Sequence, residues 1–519
     1  MIQDWKGRRV TVMGLGRFGG GVGVTRWLAA AGARVTVTDK ESAERLVASL
    51  RAIADLDVTL RLGGHDEHDF RDVDVVVVNP AVPESSPLLR VARDAGVPIT
   101  TEINLFVERC PARIVGITGS VGKSTITAMI GHLLEHAVDA AGSCGAASAE
   151  RGSRDSGIEG LRTAGRGTGH RERGTGSGEA RNARRAAVPT FSPAHVSTSP
   201  VPPARVWVGG NIGRSLLDGL GRITADDLVV LELSSFQLQR TPLVRWSPHV
   251  AVVTRITPNH LDWHGSFDAY RDAKLNIVRF QDPARDAVVL QNTPELTQAL
   301  VELISPPSNT WCYGLDGDVP IAVRGLGAPA EAGDRRRWDA LRLDVPGRHN
   351  RENAAAALTV AHVLGVPDDV ALAALATYQA LPHRLQKVAD RDGIAYYDDS
   401  KSTTPESALT ALRAFERPLV VILGGYDKGS DLTPVAQEAA RRSRFAACIG
   451  TTGPRLAELI RAAGGHAELC PDLPAAVMAC RRHAQPGDAV LLSPACASWD
   501  QFADYRQRGE MFARLARGE

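Results

Sequence analysis

Neither sign of charge prevails in this chain: 60 Lys plus Arg stand against 59 Asp plus Glu, for a formal net charge of +1. With no global field, nothing advertises nucleic acid or an anionic membrane as partner, and any charged ligand has to be held by local groups. The seven cysteines include no CxxC pair, which argues against a structural zinc site and against a disulfide framework. No apolar run approaches the ~20 residues that span a bilayer. The opening MIQDWKGRRVTVMGLG leads straight into a strand pattern, without the charged region, apolar stretch and cleavage site of a secretory leader. A cytoplasmic enzyme with no membrane insertion is the expectation. At 519 residues the chain exceeds one ordinary core, and ~100–200 residues per domain gives about three.

Hydrophobic patterning points to α/β architecture. RRVTVMGLG, a helix through Ala30 and ARVTVTD ending at Asp39 form one βαβ unit, and VDVVVVNPAV supplies a further strand. ARIVGITGS starts a second α/β unit, with the boundary near Pro111. A helix is predicted to end near His136. From Asp139 to Ala204 Gly, Ser, Ala and Arg dominate and no period persists, so 139–204 is expected to be a disordered insertion. DLVVLELSS and HVAVVTRIT continue the second unit, and DVPGRHNRENAAAALTVAHVLG opens a helix. GIAYYDDS, RPLVVILGG, FAACIG and DAVLLSPA read as strands of a third.

Two glycine motifs carry chemistry. Gly14-Leu-Gly16-Arg-Phe-Gly19 follows a strand, with Asp39 ending the next, a pattern that lets backbone approach a phosphate at a helix N-terminus. Taken alone it serves NAD as well as a UDP pyrophosphate, and tight helix–strand packing would also explain it. TGSVGKST, Thr118 to Thr125, lies between an apolar strand and a helix, the context of a phosphate-cradling loop. The backbone of Gly119, Ser120 and Gly122 would surround phosphate oxygens, Lys123 bridge the β- and γ-phosphates, and Ser124 ligate Mg²⁺. The loop departs from the full spacing, because Ile117 stands where a glycine is expected. Glu232, closing the aliphatic run of LVVLELSSF, is the expected metal carboxylate, with a strand-end salt bridge as its bland alternative. His260, Asp262 and His264 could form zinc ligands, but phosphates already bring hard Mg²⁺, and His260 is assigned beside that ion. Composition alone leaves Lys274 a solvated helix lysine.

Together TGSVGKST, LELSSFQL, TPNHLD, the AKLNI lysine, GRHNRENAAAA, LPHR and DDSKSTTP resemble, in order, the motifs of the Mur ligase family. The resemblance covers everything but the insertion, with Val121 departing from the polar residue common in the family's loop. It implies three domains: a Rossmann-like UDP-binding domain at 1–111, a central P-loop ATPase domain with a mostly parallel sheet at 112–380, and a Rossmann-like amino-acid-binding domain at 381–519. The implied enzyme is a monomeric, ATP-dependent, ADP-forming acid–amino-acid ligase of peptidoglycan precursor synthesis. VGGNIG, LELSSFQLQ and SPACASWDQF point within the family to members that add glutamate, so the implied substrates are UDP-N-acetylmuramoyl-L-alanine and D-glutamate, although the sequence itself does not distinguish D- from L-glutamate.

By position, Lys274 matches a lysine the family carbamylates with CO₂, to help hold the second of two Mg²⁺ ions with His260. Thr125 belongs to the loop, while Asn350, Arg384 and Asp399 match nucleotide contacts, Arg384 also stabilising γ-phosphate charge. Lys401 matches a cationic clamp on the transferring phosphate. Thr403, Lys428, Ser498 and Tyr505 match glutamate-side positions. Gly16, Arg17, Asp39 and Lys40 lie where uracil and pyrophosphate are held, and Asn211 and Gln237 beside the muramoyl group. Three rivals remain: a ligase of the same family with another amino acid or a folate acceptor, an NAD-dependent oxidoreductase resting on Gly14 to Gly19, and a regulatory nucleotide-binding protein without catalysis.

Overall fold

The structure, a computed structural model, describes residues 4–16, 19–152, 203–212, 215–303, 309–326 and 335–519, with side chains of 142–152 left aside. Three β-sheets succeed one another along the chain. The first contains β1 (Arg9–Met13), β2 (Arg34–Asp39), β3 (Thr59–Leu62), β4 (Val75–Val78) and β5 (Ile99–Thr100) in the order β3-β2-β1-β4-β5, every pair parallel. Strand order reverses between β1 and β4, and the crevice beyond their carboxyl ends is where such a sheet binds ligands.

The second sheet holds β6 (Arg113–Thr118), β7 (Val206–Gly210), β8 (Leu228–Glu232), β9 (Val250–Val253), β10 (Ala287–Gln291), β11 (Asn309–Asp316), β12 (Val319–Arg324) and β13 (Arg335–Arg337). Its order is β13-β12-β11-β10-β9-β6-β8-β7. β6, which carries the phosphate-loop motif at its end, is flanked by β8 and β9, and all three are parallel. Continuous aliphatic runs such as LVVLE and VAVV suit strands covered on both faces. Where the apolar pattern loosens after β10, the chain forms an antiparallel extension, β11–β12–β13.

The third sheet contains β14 (Gln386–Arg391), β15 (Ile394–Asp398), β16 (Leu419–Gly424), β17 (Ser443–Ile449), β18 (Ala467–Leu469) and β19 (Ala489–Leu492), ordered β14-β15-β19-β16-β17-β18. Only the β14–β15 pair is antiparallel. The α/β class and mostly parallel central sheet agree with the sequence reading. Two expectations are corrected together: the helix predicted to stop near His136 runs from Lys123 to Gly152, so 139–152 of the expected disordered insertion is helical, because its alanines favour the helix although no apolar stripe persists. Residues 153–202 of the expected insertion lie outside the described residues.

Candidate active site

The turn after β6 is built from glycines that no other residue replaces without strain. Gly119 has φ 145° and Gly122 φ 85°, and a Cβ on Gly119 would sit 1.8 Å from Thr254 Oγ1. That hydroxyl, just beyond β9, donates to the Val121 carbonyl at 2.6 Å, and Ser120 N donates to the Arg255 carbonyl at 2.8 Å. The segment after β9 therefore holds the loop open. Two ammonium groups meet inside it: Lys123 Nζ donates to the Gly119 carbonyl at 2.9 Å, and Lys274 Nζ donates to the same oxygen at 2.8 Å. Lys274 is not the solvated lysine its composition suggested, being 2% exposed with Nζ 4.7 Å from the Tyr270 ring centroid. Burial first, and Lys123 second, push its amine down to about 7. Lys123 is lowered too, by burial and then by Arg384, with Glu232 opposing.

Glu232 closes β8, next to the loop strand. Its Oε1 accepts from Asn211 Nδ2 at 2.9 Å, while Oε2 is buried with no partner among the described residues. A buried carboxylate oxygen left unsatisfied is costly, and a divalent cation beside it removes that cost. His260 sits in the left-handed region at φ 53°, its ring 5.0 Å from Phe236. Burial and Lys274 hold it below the ordinary imidazole range, against Asp262, so a ring nitrogen is free to act as a ligand. His264 is instead paired with Ser235 Oγ at 3.0 Å. Among the described residues no three His, Cys, Asp or Glu side chains converge as a metal cage, which disfavours the zinc alternative. Mg²⁺ fits better, because it takes few protein oxygens and completes its shell with phosphates and water; Ser124, Glu232 and His260 would hold it.

A cavity of about 150 Å³ opens from this loop toward the third sheet and is lined by Gly122, Thr125, Asn350, Arg384, Asp399 and Lys401, among others. Asn350 is not the N-cap of its helix, a place taken by Gly347; its Nδ2 donates to the Pro346 carbonyl at 2.7 Å. Asp399 accepts from Ser493 Oγ at 2.8 Å and Leu385 N at 3.2 Å, and burial outweighs those bonds, pushing its carboxyl up to about 7. Arg384 Nε is buried without a partner among the described residues. Lys401 Nζ lies 5.5 Å from the Tyr505 ring centroid. Thr254, Tyr270, Asn353 and Tyr378 also build this region, and nothing in their local sequence separated them from core positions.

A second cavity, of about 320 Å³, occupies the switch point of the first sheet and is lined by Gly14, Gly16, Asn79, Glu102, Asn211 and Gln237, among others. Gly14 is needed for a close approach, since a Cβ there would stand 2.8 Å from that of Asn79. The Asp39 carboxylate accepts from Gly16 N at 3.0 Å and Glu41 N at 2.9 Å, shaping the glycine turn beside the cavity, and neither it nor Lys40 is among the cavity-lining residues. Gln237 closes a capping box with Ser234. Arg17 lies outside the described residues. Glu102 was not foreseen; it accepts from Ser215 Oγ, and burial, seconded by Asp218, pushes its carboxyl up to about 7. Thr403, Lys428 and Ser498 line neither cavity; Lys428 Nζ rests 4.8 Å from the Trp499 ring centroid.

A phosphate loop that lines a cavity reaching the third sheet, beside a strand-end carboxylate, defines a nucleotide-dependent enzyme of the P-loop class. Family models narrow this further: the Mur ligase MurD-like N-terminal domain matches residues 8–101, the Mur ligase middle domain 220–361, and the Mur ligase glutamate ligase domain 383–496. The UDP-N-acetylmuramoylalanine–D-glutamate ligase of Roseiflexus sp. is 35% identical, over 98% of this chain and 98% of its own. The enzyme of that name from Symbiobacterium thermophilum is 33% identical over 98% and 97%. The crystal structure of UDP-N-acetylmuramate–alanine ligase from Thermotoga maritima, 19% identical, shares the fold with a TM-score of 0.52 over 98% of this chain and 99% of that one. The chain belongs to the Mur ligase family, whose members are ATP-dependent, ADP-forming amino-acid ligases.

Proposed function

We propose that this enzyme joins D-glutamate to UDP-N-acetylmuramoyl-L-alanine in the synthesis of peptidoglycan precursors, in the cytoplasm, with ATP and Mg²⁺. Full-length similarity to ligases of that name supports the substrate pair. The observation that carries the site reading is the convergence of Lys123 and Lys274 on one loop carbonyl, beside the half-satisfied Glu232, between a switch-point cavity and a cavity reaching the third sheet.

The cavity at Gly14, Gly16 and Asn79 takes the UDP-sugar, and Asn211 and Gln237 lie on its side toward the phosphate loop. The cavity at Asn350, Arg384 and Asp399 takes the nucleotide of ATP. The acceptor carboxylate attacks the γ-phosphorus, the bond to the β-phosphate oxygen breaks, and an acyl phosphate and ADP form. The neutral amine of glutamate then attacks the acyl carbon, phosphate leaves, and the amine's proton passes to solvent or phosphate. Lys123, Arg384 and Lys401 neutralise charge on the phosphoryl oxygens, which is where such catalysis acts. Bound Mg²⁺ supplies further neutralisation of the same oxygens. Lys123 must leave the Gly119 carbonyl to do so, and phosphate oxygens are the stronger acceptor.

Carbamylation of Lys274 completes the reading. A cation facing a metal site repels the ion, whereas N-carboxylation turns the side chain into an anion. Thr403, Lys428, Ser498 and Tyr505 contact glutamate once the third domain, 381–519, closes on the central one, 112–380, and excludes water from the acyl phosphate. The direct test is mass-spectrometric detection of the UDP-linked dipeptide after incubation with ATP, Mg²⁺, UDP-N-acetylmuramoyl-L-alanine and D-glutamate. ADP without that product would overturn the substrate assignment.

A further inference from the structure

Arg508 is 1% exposed and, among the described residues, forms no ion pair with a carboxylate. All described hydrogen bonds of its guanidinium go to oxygens of two loops. Nε donates to Ser400 Oγ at 3.0 Å and Nη2 to the Ser400 carbonyl at 2.9 Å. Nη2 also donates to the Cys496 carbonyl at 3.1 Å, and Nη1 to that of Ala497 at 3.3 Å. Ser400 Oγ in turn donates to the Tyr505 carbonyl at 2.8 Å. A third loop joins through the Ala497 carbonyl, which accepts from Tyr426 N at 2.9 Å. Gly425, at φ 151°, makes room for this convergence, since a Cβ there would stand 2.2 Å from the Ala497 oxygen and 3.2 Å from Arg508 Nη1.

Burying a charge without a carboxylate in direct contact is expensive, and burial lowers the guanidinium to about 10 although Asp500 and Asp398 oppose it from farther off, so packing alone does not account for an arginine here. A guanidinium offers five donors in a rigid plane and so fixes several acceptors at once, which neither lysine nor an apolar group does. The acceptors immediately precede two residues of the proposed site: Ser400 precedes Lys401, and Ala497 precedes Ser498. The Tyr426 strand bridge to Ala497 leads on to Lys428.

We propose that Arg508 is a positioning residue that holds the phosphate clamp Lys401 and the glutamate-binding loops of Ser498 and Lys428 in one fixed register. The inference rests on the function proposed above. Breaking this junction loosens the glutamate side and the Lys401 side together and leaves the distant UDP-sugar cavity unaffected.

The test compares Arg508→Lys and Arg508→Met with the unaltered enzyme, measuring kcat, KM for each of the three substrates, and Tm. The expected result is a KM for D-glutamate raised about tenfold or more, a lowered kcat, and a KM for the UDP-sugar within about twofold. Ser400→Ala, which removes only the bridging hydroxyl, should fold even if the arginine variants do not, and should raise the same KM by about threefold. A fall in Tm with every KM unchanged, in whichever of these variants folds, would reduce Arg508 to a structural role and overturn the proposal. Failure of the unaltered enzyme to use D-glutamate would instead overturn the underlying functional reading.

Discussion

Replacing Lys274 with alanine tests the least ordinary part of the chemistry. CO₂ adds only to a neutral amine. A lysine at its usual value of about 10.5 has roughly 0.03% of its amine neutral at pH 7, whereas one at about 7 has about half, an advantage on the order of 10³. Burial and the Lys123 charge thus favour the carbamylation proposed for Lys274, whose product would replace a positive by a negative charge near Glu232. Lys274→Ala should lower kcat by at least about 10³-fold, and millimolar acetate or another short carboxylic acid should restore part of it by placing an anion in the vacated space. Enzyme stripped of CO₂ should regain activity on adding bicarbonate, and at a fixed concentration of dissolved CO₂ the recovery should be faster as pH rises through 7, because the reactive amine is the deprotonated one. Coupled ADP release is the assay. Full activity in Lys274→Ala would refute the reasoning, and a loss that no carboxylic acid rescues would remove the carbamate while leaving the site in place.

Other expectations follow from single groups. Glu232→Gln should cost at least about 10²-fold in kcat and lower the Tm of the ligand-free enzyme, as it removes the one negative charge that offsets Lys123 and Lys274 and leaves a buried amide in place of the unpartnered oxygen; scanning calorimetry should also show that Mg²⁺ no longer raises the Tm. Gly119→Ala should abolish ATP binding measured by calorimetry, because its Cβ falls 1.8 Å from Thr254 Oγ1 at a φ that alanine avoids; wild-type affinity would contradict the loop assignment. Glu102, with its folded carboxyl at about 7 against an ordinary 4.5, favours the folded state below pH 4.5 and loses that contribution as pH rises through 7. Glu102→Gln should therefore gain Tm over the unaltered enzyme at pH 8, with the gain shrinking toward pH 5.

Much of the site was legible because its chemistry sits at strand ends. Gly119 to Ser124 and Glu232 were readable from an aliphatic run followed by glycine or an acid, and the structure sets those strands side by side. Lys274 was not readable from its own helix. Its meaning lies in a 155-residue closure onto the Gly119 carbonyl, which local pattern does not encode; only the ordered motifs of a family suggested it. Asp39 was located by the pattern, and the structure adds a use that the pattern does not show, since each of its oxygens accepts a backbone amide of the glycine-turn region. The short strands β14 and β18 were missed because QKVADR alternates charge and AEL is only three residues long, so neighbouring strands rather than local propensity specify them. Arg508 carried no signal at all, since a helix arginine is ordinarily solvated and its value here comes from carbonyls on two other loops.

The central claim is that ATP hydrolysis by this enzyme is committed to joining one amino acid to one sugar-nucleotide. It is tested most directly by phosphate release from ATP and Mg²⁺ with UDP-N-acetylmuramoyl-L-alanine, comparing D-glutamate, L-glutamate, other amino acids and none. The account predicts sustained release with D-glutamate alone. Release with a different amino acid would keep the ligase and refute the assignment of Lys428 and Ser498 to glutamate, and release that ignores the amino acid would contradict the ligase reading itself.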